Sequence, residues 1–65
     1  MKLLLNGASI DAQVTTLADL IMNQGFGDAK VATAVNGTFV PAAARADHRL
    51  STGDAIEVLA PMQGG

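Results

Sequence analysis

The sequence lacks cysteine, tryptophan and tyrosine, and it holds a single histidine. Without cysteine there can be no disulfide, thiolate metal site or cysteine nucleophile. With one histidine a metal site is hard to assemble, so no metal is expected. Basic residues are also few: there are four, scattered along a chain whose net charge is −2. A nucleic-acid-binding protein would show a basic stripe and stacking aromatics, so this class is not expected.

Long apolar runs are missing as well. The N-terminal leucine run, residues 3–5, stops at Asn6, which is too short for the apolar region of a secretory signal. No segment approaches the ~20 apolar residues that a membrane-spanning helix needs. We therefore expect a cytoplasmic protein with no membrane partner.

The chain does have a high apolar content, 49% of its 65 residues. A domain of this size buries only about 60% of its unfolded surface, so its core is thin. Little room is left for a cleft that shields chemistry from water. The lone histidine, His48, has no evident nucleophile or orienting partner and is expected to be solvent-exposed.

An Asn-Gly pair at Asn6-Gly7 predicts a tight hairpin, because both central residues of a type I′ turn need positive φ. It would join a first strand, Lys2–Leu5, to a second strand around residues 10–14. Thr16 then predicts the start of a helix, with Asp19 three residues later completing a capping box. Helical spacing places the apolar residues of this segment on one face, and Gly25 predicts its end.

A second pair, Asn36-Gly37, predicts a hairpin between strands at residues 31–35 and 38–40. Pro41 ends the latter strand because it cannot donate to a sheet ladder. The alanine-rich stretch 42–48 is compatible with a helical turn or an irregular connection. A tight turn at residues 52–54 then leads to a last strand, Ala55–Leu59, in which alternate side chains point to opposite faces.

The order hairpin, helix, hairpin, loop and strand predicts an α+β fold. It is the order of a ubiquitin-like β-grasp: a mixed sheet of four or five strands with one helix packed across it. Residues 1–59 would form this domain, and residues 60–65 a flexible C-terminal tail ending in Gly-Gly. Fully extended, six residues reach about 20 Å, far enough to enter a partner's active site.

Four segments together resemble the ThiS family, the sulfur carriers of thiamine biosynthesis, over the whole chain. They are LLLNG near the N-terminus, VNGTFVP at residues 35–41, LSTGDAIEVL at residues 50–59 and the final QGG. One departure is visible: family members often carry a basic residue directly after the proline, whereas here the first base is Arg45.

The resemblance implies that the protein is not itself an enzyme and has no cofactor of its own. A partner adenylating enzyme would use Mg-ATP to activate the Gly65 carboxylate. Sulfur from a cysteine desulfurase pathway would then convert it into a thiocarboxylate, and thiazole synthase would accept the sulfur. Gly64, which lacks a Cβ, would give the tail clearance in a narrow channel.

Partner docking is expected to use residues near the tail and on the sheet face away from the helix. The candidates are Phe39, Leu59, Met62 and Gln63. Core packing is the ordinary expectation for Phe39, while Met62, just beyond the last strand, suits an interface.

Two alternative functions stay open. The same terminal chemistry would serve a carrier for another pathway, such as the small subunit of molybdopterin synthase. A ubiquitin-like protein-binding module, or a protein conjugated as ubiquitin is, would also have this fold. A binding module would keep its function after loss of the last two residues, and a carrier would not.

Overall fold

Five strands and one α-helix make up the described part of the chain, residues 1–27 and 29–60 of a computed structural model. The elements are β1 (Lys2–Leu5), β2 (Ala8–Asp11), α1 (Leu17–Asn23), β3 (Ala32–Val35), β4 (Thr38–Val40), a 3-10 helix (Ala42–Asp47) and β5 (Ala55–Leu59). The strand order is β2-β1-β5-β3-β4. The pair β1–β5 is parallel and the other pairs are antiparallel, so the sheet is mixed, as predicted.

Both predicted hairpin turns are confirmed by their backbone angles. Asn6 and Gly7 have φ of 50° and 85°, and Asn36 and Gly37 have φ of 51° and 83°. The predicted position of the second strand, residues 10–14, was wrong. A two-residue turn places Ala8 directly opposite Leu5, so pairing begins at Ala8 and ends at Asp11. The prediction had followed apolar residues rather than the register that the turn imposes.

The helix start is also as predicted. The Thr16 hydroxyl accepts from the Asp19 backbone N–H at 3.2 Å, and the Asp19 carboxylate accepts from the Thr16 N–H at 3.0 Å. These backbone donors, from Thr16 first and then from Thr15, lower the pKa of Asp19. The helix ends at Asn23, and Gly25 follows with φ of 85°. No helix in residues 1–27 and 29–60 has the length and apolar character needed to cross a membrane.

The core lies between α1 and one face of the sheet. Its most deeply buried side chains are Leu3, Leu17, Leu20 and Ile56. Thr33 is the buried polar residue of the described chain, and its hydroxyl donates to the Val40 carbonyl at 2.7 Å. Burying this hydroxyl is therefore compensated by a hydrogen bond between neighbouring strands.

The central strand β5 is held by the side chains of both turn asparagines. Asn6 Oδ1 accepts from the Val58 N–H at 2.9 Å, and Asn6 Nδ2 donates to the Val58 carbonyl at 3.2 Å. Asn36 Oδ1 accepts from the Ala55 N–H at 3.0 Å, and its Nδ2 donates to Asp54 at 3.0 Å. Asn6 thus continues the parallel ladder after its own backbone has turned away, and Asn36 secures the start of β5.

The two roles of Asn6 can be separated by substitution. Asn6→Gly keeps the positive φ but loses the two bonds to Val58, so we expect unfolding free energy to fall by about 1–2 kcal/mol. Asn6→Ala also strains the turn and should cost about 1 kcal/mol more. Urea denaturation measures both. An Asn6→Gly protein as stable as the unsubstituted chain would show that the side-chain bonds add nothing.

Candidate functional site

The sheet face opposite α1 carries large apolar side chains that no other part of residues 1–27 and 29–60 covers. Phe39 is 65% exposed and Leu59 64%, with Leu4 at 40%. The strand alternation that buries Ile56 and Val58 under the helix turns Leu59 outward. The expectation that Phe39 packs in the core was wrong, whereas its place among the docking candidates is compatible with this exposure.

Phe39 and Leu59 are brought together by strand pairing. Phe39 lies opposite Ala34 on β3, and Leu59 lies opposite Ala32 on the same strand. Since these alanines are short, a cavity of about 100 Å³ opens between the two large side chains, and Glu57, opposite Ala34 on β5, also lines it. We call Phe39, Ala34, Ala32 and Leu59 the open-face patch. Exposed apolar patches of this kind are typical of protein-binding surfaces.

A larger groove of about 610 Å³ lies where the chain leaves β5. It is lined by Ala29, Lys30, Val31, Ala32, Ala42, Arg45, Leu59 and Ala60. We call it the tail-exit groove, because Ala60 is the last described residue. Leu59 and Ala32 belong to both the groove and the open-face patch, so the two surfaces are continuous.

Arg45 is half-buried and held in place by two neutral acceptors. Its Nε donates to the Thr33 hydroxyl at 3.0 Å, and its Nη2 donates to the Val31 carbonyl at 2.6 Å. These bonds join the 3-10 helix to β3 at one wall of the groove. No sequence pattern indicated these bonds, because the partners lie 12 and 14 residues away from Arg45.

The tail candidates lie outside the described residues. These are Met62, Gln63, Gly64 and Gly65. Of the predicted functional residues, the structure therefore places Phe39 and Leu59, and it brings these two to one surface.

Three of the described carboxylates, those of Asp11, Asp19 and Asp54, accept hydrogen bonds within the fold. Ser51 N–H and then the Asn36 amide hold the pKa of Asp54 below its usual value. This stabilisation is present above the pKa of the unfolded state and is lost as acid protonates the carboxylate. His48 is half-buried instead of solvent-exposed as expected. Within residues 1–27 and 29–60, no three potential metal ligands cluster.

The chain is similar to known proteins in sequence and in structure. A sequence model of the ThiS family matches residues 4–65. The crystal structure of a thiamine biosynthesis protein (ThiS) from Geobacter metallireducens is 26% identical, with a TM-score of 0.85 and coverage of 100% of both chains. No curated protein gives a match. The structural likeness confirms the predicted ubiquitin-like β-grasp.

The exposure of Phe39 predicts a small effect on stability. Phe39→Thr keeps a strand-forming residue and should lower the unfolding free energy by under about 1 kcal/mol. The matched control is the next residue, Val40, which is buried. Val40→Thr places a hydroxyl in the core and should cost about 1–3 kcal/mol. Equal losses in thermal melts would mean that Phe39 is a core residue in solution.

Proposed function

We propose that the Gly65 carboxylate is the sulfur-bearing group of this chain, which belongs to the ThiS family, the small sulfur carriers of thiamine biosynthesis. The observation that supports the proposal best is the position of β5. This strand is central in the sheet, and it ends beside the open-face patch. Residues 61–65 could extend about 17 Å beyond it. A partner bound to the patch would then have the end of the chain within reach of its active site.

Activation is the first chemical requirement. An α-carboxyl group has a pKa of about 3.5 and is ionised at neutral pH, so its carbon resists nucleophiles. In the proposed reaction a carboxylate oxygen of Gly65 attacks the α-phosphorus of Mg-ATP in the adenylating enzyme. Pyrophosphate leaves, and an acyl-adenylate is formed. Mg-ATP is bound by the enzyme and not by the carrier.

Sulfur is introduced in the next two steps. A persulfide supplied through a cysteine desulfurase pathway attacks the acyl carbon, AMP leaves, and an acyl disulfide is formed. A thiol then reduces the S–S bond by two electrons and releases the thiocarboxylate on Gly65. Thiazole synthase accepts this sulfur, and the carrier returns to its carboxylate form. The absence of cysteine from the chain suits a carrier whose sulfur is borne by the backbone terminus.

The open-face patch is proposed as the docking surface for these enzymes. Phe39 and Leu59 supply exposed apolar area on a rigid sheet, and Met62 and Gln63 would extend the contact along the tail. Because the backbone of these residues is already ordered in the sheet, binding has to order only their side chains. The domain, residues 1–59, would therefore provide affinity, and Gly64 and Gly65 would provide access to the reacting carbon.

A carrier for another pathway, such as the small subunit of molybdopterin synthase, remains the nearest alternative. It would undergo the same activation and differ in the enzyme that accepts the sulfur. A ubiquitin-like binding module is the alternative of a different class, and its binding would persist without the terminal glycines.

Intact-protein mass spectrometry is the direct test. The protein is incubated with a thiamine-pathway adenylating enzyme, Mg-ATP and a sulfur source. We expect a mass increase equal to the replacement of one oxygen by sulfur, located on Gly65. If a competent enzyme produces neither this change nor an AMP adduct, the carrier proposal is wrong. Transfer of the sulfur from Gly65 to thiazole synthase distinguishes a thiamine carrier from a carrier of another pathway.

Two tail variants test the roles of the glycines. Deletion of Gly65 should abolish thiocarboxylate formation, and Gly64→Val should slow adenylation because the added side chain obstructs a narrow channel. Neither change touches the described core, so thermal melts should match the unsubstituted protein. Sulfur uptake by the truncated chain, or a normal rate for Gly64→Val, would contradict the assigned roles.

The docking surface is tested by a pair of exposed apolar residues on opposite sides of the molecule. Phe39→Thr should weaken binding to the adenylating enzyme by about tenfold or more, as for a central interface residue. Met22 on α1 is 69% exposed and provides the control, since Met22→Gln removes apolar surface from the helix side. Isothermal titration calorimetry measures both affinities. Equal affinities for the two variants would place docking elsewhere.

A further inference from the structure

We propose that the tail-exit groove binds an acidic side chain of the adenylating enzyme, so that a carboxylate is clamped by Arg45 and Lys30 beside the point where the tail begins. This inference rests on the proposed function and specifies the chemistry of the partner surface. Two of the chain's four basic residues line this one groove, although the net charge of the protein is −2.

Arg45 is the fixed part of the clamp. Its two hydrogen bonds go to uncharged oxygens, of Thr33 and Val31, and they leave other guanidinium N–H groups to donate. Within residues 1–27 and 29–60, no carboxylate oxygen lies within 4.0 Å of its nitrogens. Among the carboxylates of the described residues, none therefore neutralises the charge of this half-buried arginine, whose guanidinium is oriented by its two hydrogen bonds. An arginine already held in place loses little freedom when it binds a carboxylate.

The groove also has an apolar lining that suits the stem of an acidic side chain. Ala29, Ala42 and Ala60 contribute small side chains to the lining that Lys30 and Arg45 share. Covering such a surface removes water and strengthens the attraction between the charges. Lys30 is exposed and adds a second positive charge.

Continuity with the open-face patch indicates which partner would occupy the groove. Leu59 lines both surfaces, so an enzyme that covers Phe39 and Leu59 would extend over Arg45. The charge of the groove then requires an acidic residue at that point. The contact would set the direction in which the tail enters the enzyme.

The test is the salt dependence of binding between the full chain and the adenylating enzyme, without ATP. Lys30→Glu reverses one charge of the groove. Arg49→Glu is the charge-matched control. Arg49 is exposed, and its backbone pairs with that of Thr16 at the start of α1, away from the groove. We expect Lys30→Glu to weaken binding roughly tenfold at about 50 mM salt, and the difference to shrink at about 500 mM. Arg49→Glu should bind as the unsubstituted protein does.

Arg45→Met provides a second variant that removes the other charge and keeps an apolar stem. It should weaken binding in the same salt-dependent way, and its melting curve shows whether the fold survives loss of the bonds to Thr33 and Val31. Since Lys30→Glu leaves those bonds in place, its result stands whatever the stability of Arg45→Met.

In the measurement without ATP, three results would overturn the inference: unchanged binding of Lys30→Glu, equal weakening by Arg49→Glu, or a loss that persists at high salt. If the groove variants alter binding to the enzyme only when Mg-ATP is present, the inference is also wrong, because the groove would then respond to nucleotide phosphate. Mass spectrometry of the unsubstituted protein distinguishes the two proposals. If that protein is adenylated while the groove variants bind normally, the groove assignment alone fails. If it neither binds nor is adenylated, both fail.

Discussion

The fold depends on the pairing of β5 on both of its edges. This strand is the last to be added along the chain, yet it lies between β1, with which it is parallel, and β3, with which it is antiparallel. Its Ile56 and Val58 side chains fill the core beneath α1. Without β5 the two hairpins would have no common neighbour, and the helix would have only separate ribbons to cover. The hydrogen bonds from Asn6 and Asn36 therefore act where the two halves of the protein are joined.

The alternation of side chains along β5 separates stability from recognition. Residues at even positions, Ile56 and Val58, are buried, while Glu57 and Leu59 are exposed. A partner can bind the exposed side chains without disturbing the core. The same strand is paired with β3 as far as Leu59, through the register with Ala32. In the proposed carrier role, the reactive terminus would follow this hydrogen-bonded strand after a few residues.

Local chemistry in the sequence was sufficient to predict much of this fold. Asn-Gly pairs determine turn geometry by themselves, and a capping box involves only residues three apart, so both predictions were confirmed. Predictions based on apolar character were weaker: they placed the second strand too late and expected Phe39 in the core. The bond between Asn6 and Val58 spans 52 residues, and that between Arg45 and Val31 spans 14. Contacts at such separations depend on the assembled sheet, and so the groove could not be inferred beforehand. The assignment of Gly64 and Gly65 still comes from sequence, since these residues lie outside the described part of the chain.

The turn asparagines are also sites of chemical degradation. Asparagine followed by glycine is chemically labile, because the unhindered glycine nitrogen can attack the side-chain carbonyl and release ammonia. Loss of the Asn6 amide would replace an N–H donor with a carboxylate oxygen facing the carbonyl of Val58. The hydrogen bond from Asn6 to Val58 would be replaced by repulsion between two acceptor oxygens on β5 and its neighbouring turn. The hydrogen bonds that hold the side-chain amide in the folded sheet also restrain it from the geometry that this reaction needs. We therefore expect these two asparagines to lose their amides more slowly in the folded protein than in the unfolded chain.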